Sequence, residues 1–235
     1  MTAPQTISFH PNSPIELALI REANHRVANQ LTMLANLVQV QVIDAGKGPA
    51  IYPREQVQGI LREVASKVIT VGHLHRRLAE EPGEQEIDLA NYLIESSRAL
   101  IKSLALEDRV GVVHRLCGSC PVKPDQAQPV ALIVAEIIMN AVKHAHPTGI
   151  PVEISMRCDR NAQGRLVVEI EDDGIGFPEG FDPKTGGGVG FRLMRVLAAS
   201  IDADLDIDSD SLGVRFLLTL PVHIPSPNEP LHSVG

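Results

Sequence analysis

From Ser13 onward the chain carries apolar residues at Ile20, Val27, Leu31, Leu34 and Val38, in steps of threes, fours and sevens. That recurrence marks one face of an amphipathic helix. Ser13 can cap it, with Pro14 in the first helical position and Glu16 three residues beyond the cap. The pattern breaks at Ala45-Gly-Lys-Gly-Pro-Ala50 and resumes near Pro53, where Val57, Leu61, Val64, Val68, Val71 and Leu78 repeat it. Two such helices across a short loop form an antiparallel hairpin. A lone hairpin leaves part of its apolar surface bare, so a second copy is expected to complete a dimeric four-helix bundle.

Glu80-Glu-Pro-Gly-Glu-Gln-Glu86 reads as a linker, and beyond it the pattern changes. Helical periodicity spans 89–106, 126–145 and 191–201, and the middle segment is apolar on most sides. Strand-like segments lie at 109–116, 152–157, 165–171, 203–208 and 214–220. Asn161-Ala-Gln-Gly164 and Ser211-Leu-Gly213 supply turns between strand pairs. Strands with helices inserted among them predict an α+β sandwich, with helices on one face of a mixed sheet. The expected organisation is therefore a flexible N-terminus (1–12), an all-α hairpin (13–82), an α+β domain (83–222) and a flexible tail (223–235).

Composition narrows the function classes. With 44% apolar and 21% charged residues, the 235-residue chain is globular rather than disordered. Aromatics make up 3% and Trp is absent, so aliphatic side chains must build the core. No apolar run reaches the roughly 18 residues of a membrane span, and the first residues lack the basic head and apolar stretch of a secretory signal. A net charge of −8 argues against nucleic acid or an anionic membrane as the main partner. Cys117, Cys120 and Cys158 do not make a disulfide framework, and the Cys117-x-x-Cys120 pair lacks a second ligand pair for zinc. A cytoplasmic protein is expected.

Several constellations carry chemistry. Glu22, His25, Asn29, Thr32 and Asn36 follow steps of 3, 4, 3 and 4, which puts them on one face beside the apolar seam. A solvated helix face is the ordinary explanation of such a stripe. Here, however, a carboxylate lies one turn before the imidazole and an amide one turn after it. Glu22 could orient His25 or take its proton, leaving the other ring nitrogen as a nucleophile, and Asn29 could position a water or a phosphoryl oxygen. In the apolar helix, Glu136, Asn140, Lys143 and His144 fall on nearly one face. Polar groups on a buried helix cost free energy unless paired, so this face points to a site. An amide oxygen and a carboxylate suit Mg²⁺, and Lys143 suits a phosphate.

Glu171-Asp-Asp-Gly-Ile-Gly-Phe177 follows a strand, and Asp172 at that strand end could accept from an exocyclic amine such as adenine's. Gly174 and Gly176 permit positive φ or close backbone approach. Gly186-Gly-Gly-Val-Gly-Phe191 then precedes a helix, where backbone amides can cradle phosphate. It is not a Walker loop, because no Gly-Lys-Ser/Thr follows.

Asn140 with its neighbours, Asp172-Asp-Gly-Ile-Gly176 and Gly188-Val-Gly190 resemble the N, G1 and G2 boxes of the GHKL (Bergerat) ATPase fold. Preceded by Asn24-His-Arg-Val-Ala-Asn-Gln-Leu31 in a helical hairpin, they resemble a histidine kinase of the HisKA-2/HWE-like class. His73-Leu-His-Arg-Arg-Leu78 and Gly176-Phe-Pro-Glu-Gly-Phe-Asp-Pro183 resemble that class too, and the likeness spans about 14–222.

The resemblance implies His25 as phosphoacceptor, with Glu22 and Asn29 beside it, and Asn140 as Mg²⁺ ligand. It implies Glu136 near metal and phosphates, Lys143 on phosphate with His144 adjacent, and Asp172 on the adenine amine. Gly174, Gly176, Gly188 and Gly190 would shape the pocket. It also implies ATP and Mg²⁺ as cofactors, a homodimer, and a response regulator aspartate as the final acceptor. Two departures stand out. Arg26 follows the histidine where an acidic general base is common, leaving Glu22 or the nucleotide's surroundings to manage the proton. The lid, 177–187, has little apolar content to hold it closed. With about a dozen residues before the first helix, input is expected from a separate sensor or regulatory protein. The alternatives are a histidine phosphotransferase or phosphatase that has lost ATP binding, and an anti-sigma-type GHKL serine kinase.

Overall fold

The computed structural model describes residues 86–116, 120–146, 149–183 and 185–221, with scattered positions between 35 and 72. Glu22, His25, Asn29, Cys117, the N-terminus and the tail expected at 223–235 lie outside the described residues. Among the scattered positions, Ala35, Val38, Gln39 and Val42 are helical, Gly46 is in a turn, and Arg54, 57–61, Val64, Val68 and Gly72 are helical.

The continuous part begins with strand β1 (Ile87–Asp88), which runs directly into helix α1 (Leu89–Ser103). Asp88 caps that helix, its Oδ1 accepting from Ala90 N at 3.1 Å. Strands β2 (Val110–Leu116) and β3 (Pro121–Val122) follow, then helix α2 (Pro124–His144). Strands β4 (Val152–Arg160) and β5 (Leu166–Asp172), helix α3 (Val189–Ser200), and strands β6 (Asp204–Asp210) and β7 (Gly213–Leu220) complete the domain.

The main sheet has the order β2-β4-β5-β7-β6, and β1 pairs only with β3. Strand β2 runs parallel to β4, and every other neighbouring pair in the main sheet is antiparallel. The sheet is mixed, with helices on one face, as the sequence pattern implies. Val152, Ile154, Met156 and Cys158 of β4 alternate inward, as do Leu166, Val168 and Ile170 of β5 and Phe216, Leu218 and Leu220 of β7. Edge strand β6 sets Asp204, Asp206, Asp208 and Asp210 outward, which discourages further strand pairing.

Helix α2 lies in the middle of the helical layer, packed against both α1 and α3. Its residues 127–134 are all buried, which explains their near-continuous apolar character. The helix starts at Pro124, two residues before the expected boundary, and carries Pro129 inside it, where the ring supplies no N–H to the helical ladder. Gln126 Nε2 donates to Pro221 O at 2.7 Å and ties this end to the end of β7. Cys120 and Cys158 are buried free thiols, and burial together with Cys120 as neighbour pushes the Cys158 thiol far up. They serve as small core residues.

One expectation is corrected. The lid region is not poor in apolar anchors, because Phe177 and Phe181 within it stack with centroids 4.7 Å apart. Both rings meet Phe191 of α3, at 5.8 and 5.6 Å, and Phe191 in turn lies 6.4 Å from Phe216 of the core. Four of the five phenylalanines of the chain thus converge where the lid joins α3. Arg195 adds a hydrogen bond from Nη1 to Pro183 O at 2.7 Å.

Candidate functional site

Helix α2 is the wall on which the glycine turns assemble. Glu136 is buried, Asn140 is half-buried, and Lys143 and His144 at the last turn are exposed. These four share the expected face but not one environment. Gly190, in the first turn of α3, sits against Glu136 and Asn140. A Cβ there would lie 2.9 Å from Glu136 Oε2 and 3.6 Å from Asn140 Oδ1. Gly188 caps α3 and faces open space, so its value is an accessible backbone rather than a special conformation.

Asp172, at the end of β5, holds its carboxylate in a fixed pose. Oδ1 accepts from Gly174 N at 3.0 Å and from Val214 N at 3.4 Å. Desolvation pushes the Asp172 carboxyl above its ordinary value, and the neighbouring Asp173 adds to that rise. The two backbone donors and His146 act in the opposite direction. Gly174 must be glycine because a Cβ would lie 2.6 Å from the Ala145 Cα at the end of α2. Gly176 has φ +73°, and a Cβ there would collide with Asp210 O.

Four further participants have no site role assigned by the sequence. Gly213, at φ +142°, backs onto Asp172, and a side chain there would overlap Asp172 O. Its only signal in the sequence is a Ser-Leu-Gly turn between two strands. Ser209 Oγ accepts from Phe177 N at 2.8 Å and donates to Gly213 O at 3.3 Å, linking the lid's start to the β6–β7 turn. His146 and Asp173 form a pair 3.0 Å apart, beside Ala145 and Asp172 respectively.

The donor set fits a phosphate-bearing ligand beside Asn140. Asn140 Nδ2 is buried without a hydrogen-bond partner, an orphan that a bound polar group would satisfy. Among the described residues no cluster of three His, Cys, Asp or Glu side chains forms a metal cage. A hard ion held by one amide oxygen, substrate phosphates and water matches the way Mg²⁺ binds.

A buried helix carrying Asn140, with Gly190 at the start of a glycine-capped helix against it and the Gly174 turn of an anchored strand-end aspartate against its end, is the layout of a Bergerat-type ATP-binding domain. Residues 125–224 match the model of the histidine kinase-, DNA gyrase B- and HSP90-like ATPases, and 22–104 match a histidine kinase family. The chain belongs to the histidine kinases, with a core of the HisKA-2/HWE-like class.

It is 27% identical over 208 residues to the sensor histidine kinase PdtaS of Mycobacterium tuberculosis, covering 87% of this chain and 40% of that protein. It is 24% identical over 204 residues to blue-light-activated histidine kinase 2 of Erythrobacter litoralis, covering 86% of this chain and 57% of that one. The chain therefore spans about half or less of these relatives' lengths. The solved blue-light activated histidine kinase EL346 of Erythrobacter litoralis shares the fold, with a TM-score of 0.67 at 23% identity over 92% of this chain and 62% of that one. No helix among the described residues is long and apolar enough to cross a membrane.

Proposed function

We propose that this chain is the catalytic core of a protein-histidine kinase in two-component signalling. It binds ATP at the α2 pocket, phosphorylates His25 and passes the phosphoryl group to an aspartate of a response regulator. The observation that carries this reading is an anchored, desolvated Asp172, whose Gly174 turn packs on the end of α2, together with the orphaned Asn140 amide on that same helix.

The residues divide the work. Asp172 accepts from the adenine amine, and Gly174, Gly176 and Gly190 keep side chains out of the base and phosphate space. Backbone amides at Gly188 and the start of α3 receive phosphate, with Lys143 adding a point charge, His144 beside it and Glu136 lining the inner end. Asn140 would hold Mg²⁺, which when bound neutralises charge on the β- and γ-phosphates. His25 attacks in line as the neutral imidazole, Glu22 orients it or takes its proton, and Asn29 orients water or a phosphoryl oxygen nearby.

Residues 13–82 form the dimerisation and phosphotransfer hairpin and 83–222 the catalytic domain. Exposed apolar side chains support a four-helix bundle between two copies. Val42 is 57% exposed and Leu61 61% exposed, surface that a second hairpin would bury. The protein works in the cytoplasm, and its input comes from a separate sensor or regulatory protein.

Incubation with γ-labelled ATP tests the reading. Acid-labile label on the wild type, lost in His25→Ala with ATP affinity unchanged, is the expected result. Acid-stable label would favour a serine kinase of the anti-sigma type, and failure to bind nucleotide would favour the phosphotransferase or phosphatase alternative.

A further inference from the structure

We infer that His146 and Asp173 form a brace that positions the adenine-recognising loop against the end of α2, and so sets nucleotide affinity and base selectivity. This rests on the nucleotide reading of the site given above.

The geometry runs as a chain of contacts. Asp173 Oδ1 receives two donors, Glu153 N at 2.9 Å and His146 Nε2 at 3.0 Å. An ionised carboxylate can only accept, so the His146 proton on this bond belongs to Nε2. Asp173 N donates to Glu153 O at 3.2 Å, and Ile175 N donates to Ala145 O at 3.0 Å. Residues 173–175 are thus stitched on one side to β4 and on the other to the residues that follow α2.

Gly174 lies between these anchors, pressed against Ala145. Its N–H is also the shorter of the two bonds that orient the Asp172 carboxylate. A movement of Asp173 therefore moves Gly174, and a movement of Gly174 re-aims Asp172. His146 is 18% exposed at its side chain and Asp173 53%, so one partner is packed and the other reaches it from the rim. His146 touches no reacting atom in this arrangement. It is a positioning residue, and its effect is expected in binding rather than in the chemical step.

The test measures ATP and GTP binding together with the steady-state KM and kcat for ATP in the full chain. His146→Ala and Asp173→Ala should each raise the KM and Kd for ATP about five- to tenfold, the scale of one ordinary hydrogen bond because the brace acts on the adenine contact only indirectly, with kcat nearly unchanged. Preference for ATP over GTP should shrink in both. The double variant should be no weaker than the weaker single variant, because the two side chains act through one contact. His146→Gln keeps an N–H donor of similar reach and should restore near-wild-type KM.

An unchanged KM in His146→Ala, additive losses in the double variant, or no rescue by glutamine would each overturn the brace. Asp172→Asn separates the two levels of the argument. If it weakens ATP binding while His146→Ala does not, only the brace fails. If it too leaves ATP binding unchanged, the nucleotide reading fails and the brace with it.

Discussion

Asp172→Asn is the sharpest perturbation because the structure dictates how the new amide must sit. Oδ1 of Asp172 already accepts from Gly174 N and Val214 N, at 3.0 and 3.4 Å. An asparagine keeps those bonds only by turning its own oxygen toward the two amides. Its NH₂ group then faces the pocket. The alternative rotamer would set NH₂ against two N–H donors and forfeit both bonds, each worth about 1 kcal/mol. Adenine thus meets a donor opposite its own exocyclic donor, where the wild type offers a charged acceptor.

The loss is that of a charge-assisted hydrogen bond, about 1.5–3 kcal/mol, or roughly ten- to a hundredfold in ATP affinity. Guanine presents a carbonyl at the corresponding position, so GTP should bind as well as before or better. Stability should hold or rise slightly, since both backbone donors stay satisfied and the cost of desolvating a charge disappears. Titration calorimetry with ATP and GTP, paired with thermal melts, reads all three quantities. Wild-type ATP affinity in a folded Asp172→Asn variant would refute the assignment of Asp172 to the adenine amine.

Other expectations follow from the same geometry. Burial raises the Asp172 carboxyl above its ordinary value of 3.8, so its share of stability is present at low pH and is lost as pH rises through the raised value. Nucleotide binding needs the charged form, so ATP affinity should fall on acidification beginning above pH 3.8, and part of that fall should vanish in Asp172→Asn when the two titrations are compared. Gly213→Ala sets a methyl group into Asp172 O at φ +142°, and a loss of at least about 2 kcal/mol is expected in urea unfolding. Phe181→Ala removes a ring that stacks on both Phe177 and Phe191, which should cost about 2 kcal/mol and speed proteolytic cleavage within 177–187. His114 has a buried Nδ1 without a partner, and desolvation with the nearby Arg98 lowers its pKa. Stability should therefore fall as pH drops below 6.5, and His114→Phe should flatten that fall in melts between pH 7.5 and 5.5.

Local periodicity determines what the chain can say about itself. The apolar run of α2, the inward alternation of β4, β5 and β7, and the placement of Asp172 at a strand end all follow from spacing within a few residues. The glycines at 174, 176 and 190 are likewise visible as motifs, and contacts with Ala145, Asp210 and Glu136 explain why each is glycine.

Tertiary structure decides what spacing cannot reach. Strands β1 and β3 have two residues each, too few for any period to register. The strand order, with β2 parallel to β4, depends on pairings across the sheet rather than on any one strand's pattern. Asp172 finds its second donor in Val214, 42 residues on, and Asp173 finds His146 27 residues back. Four phenylalanines in an aromatic-poor chain look scattered in the sequence, yet folding gathers 177, 181, 191 and 216 into one cluster. Composition counts such side chains, but only the closure of the intervening chain decides which of them meet.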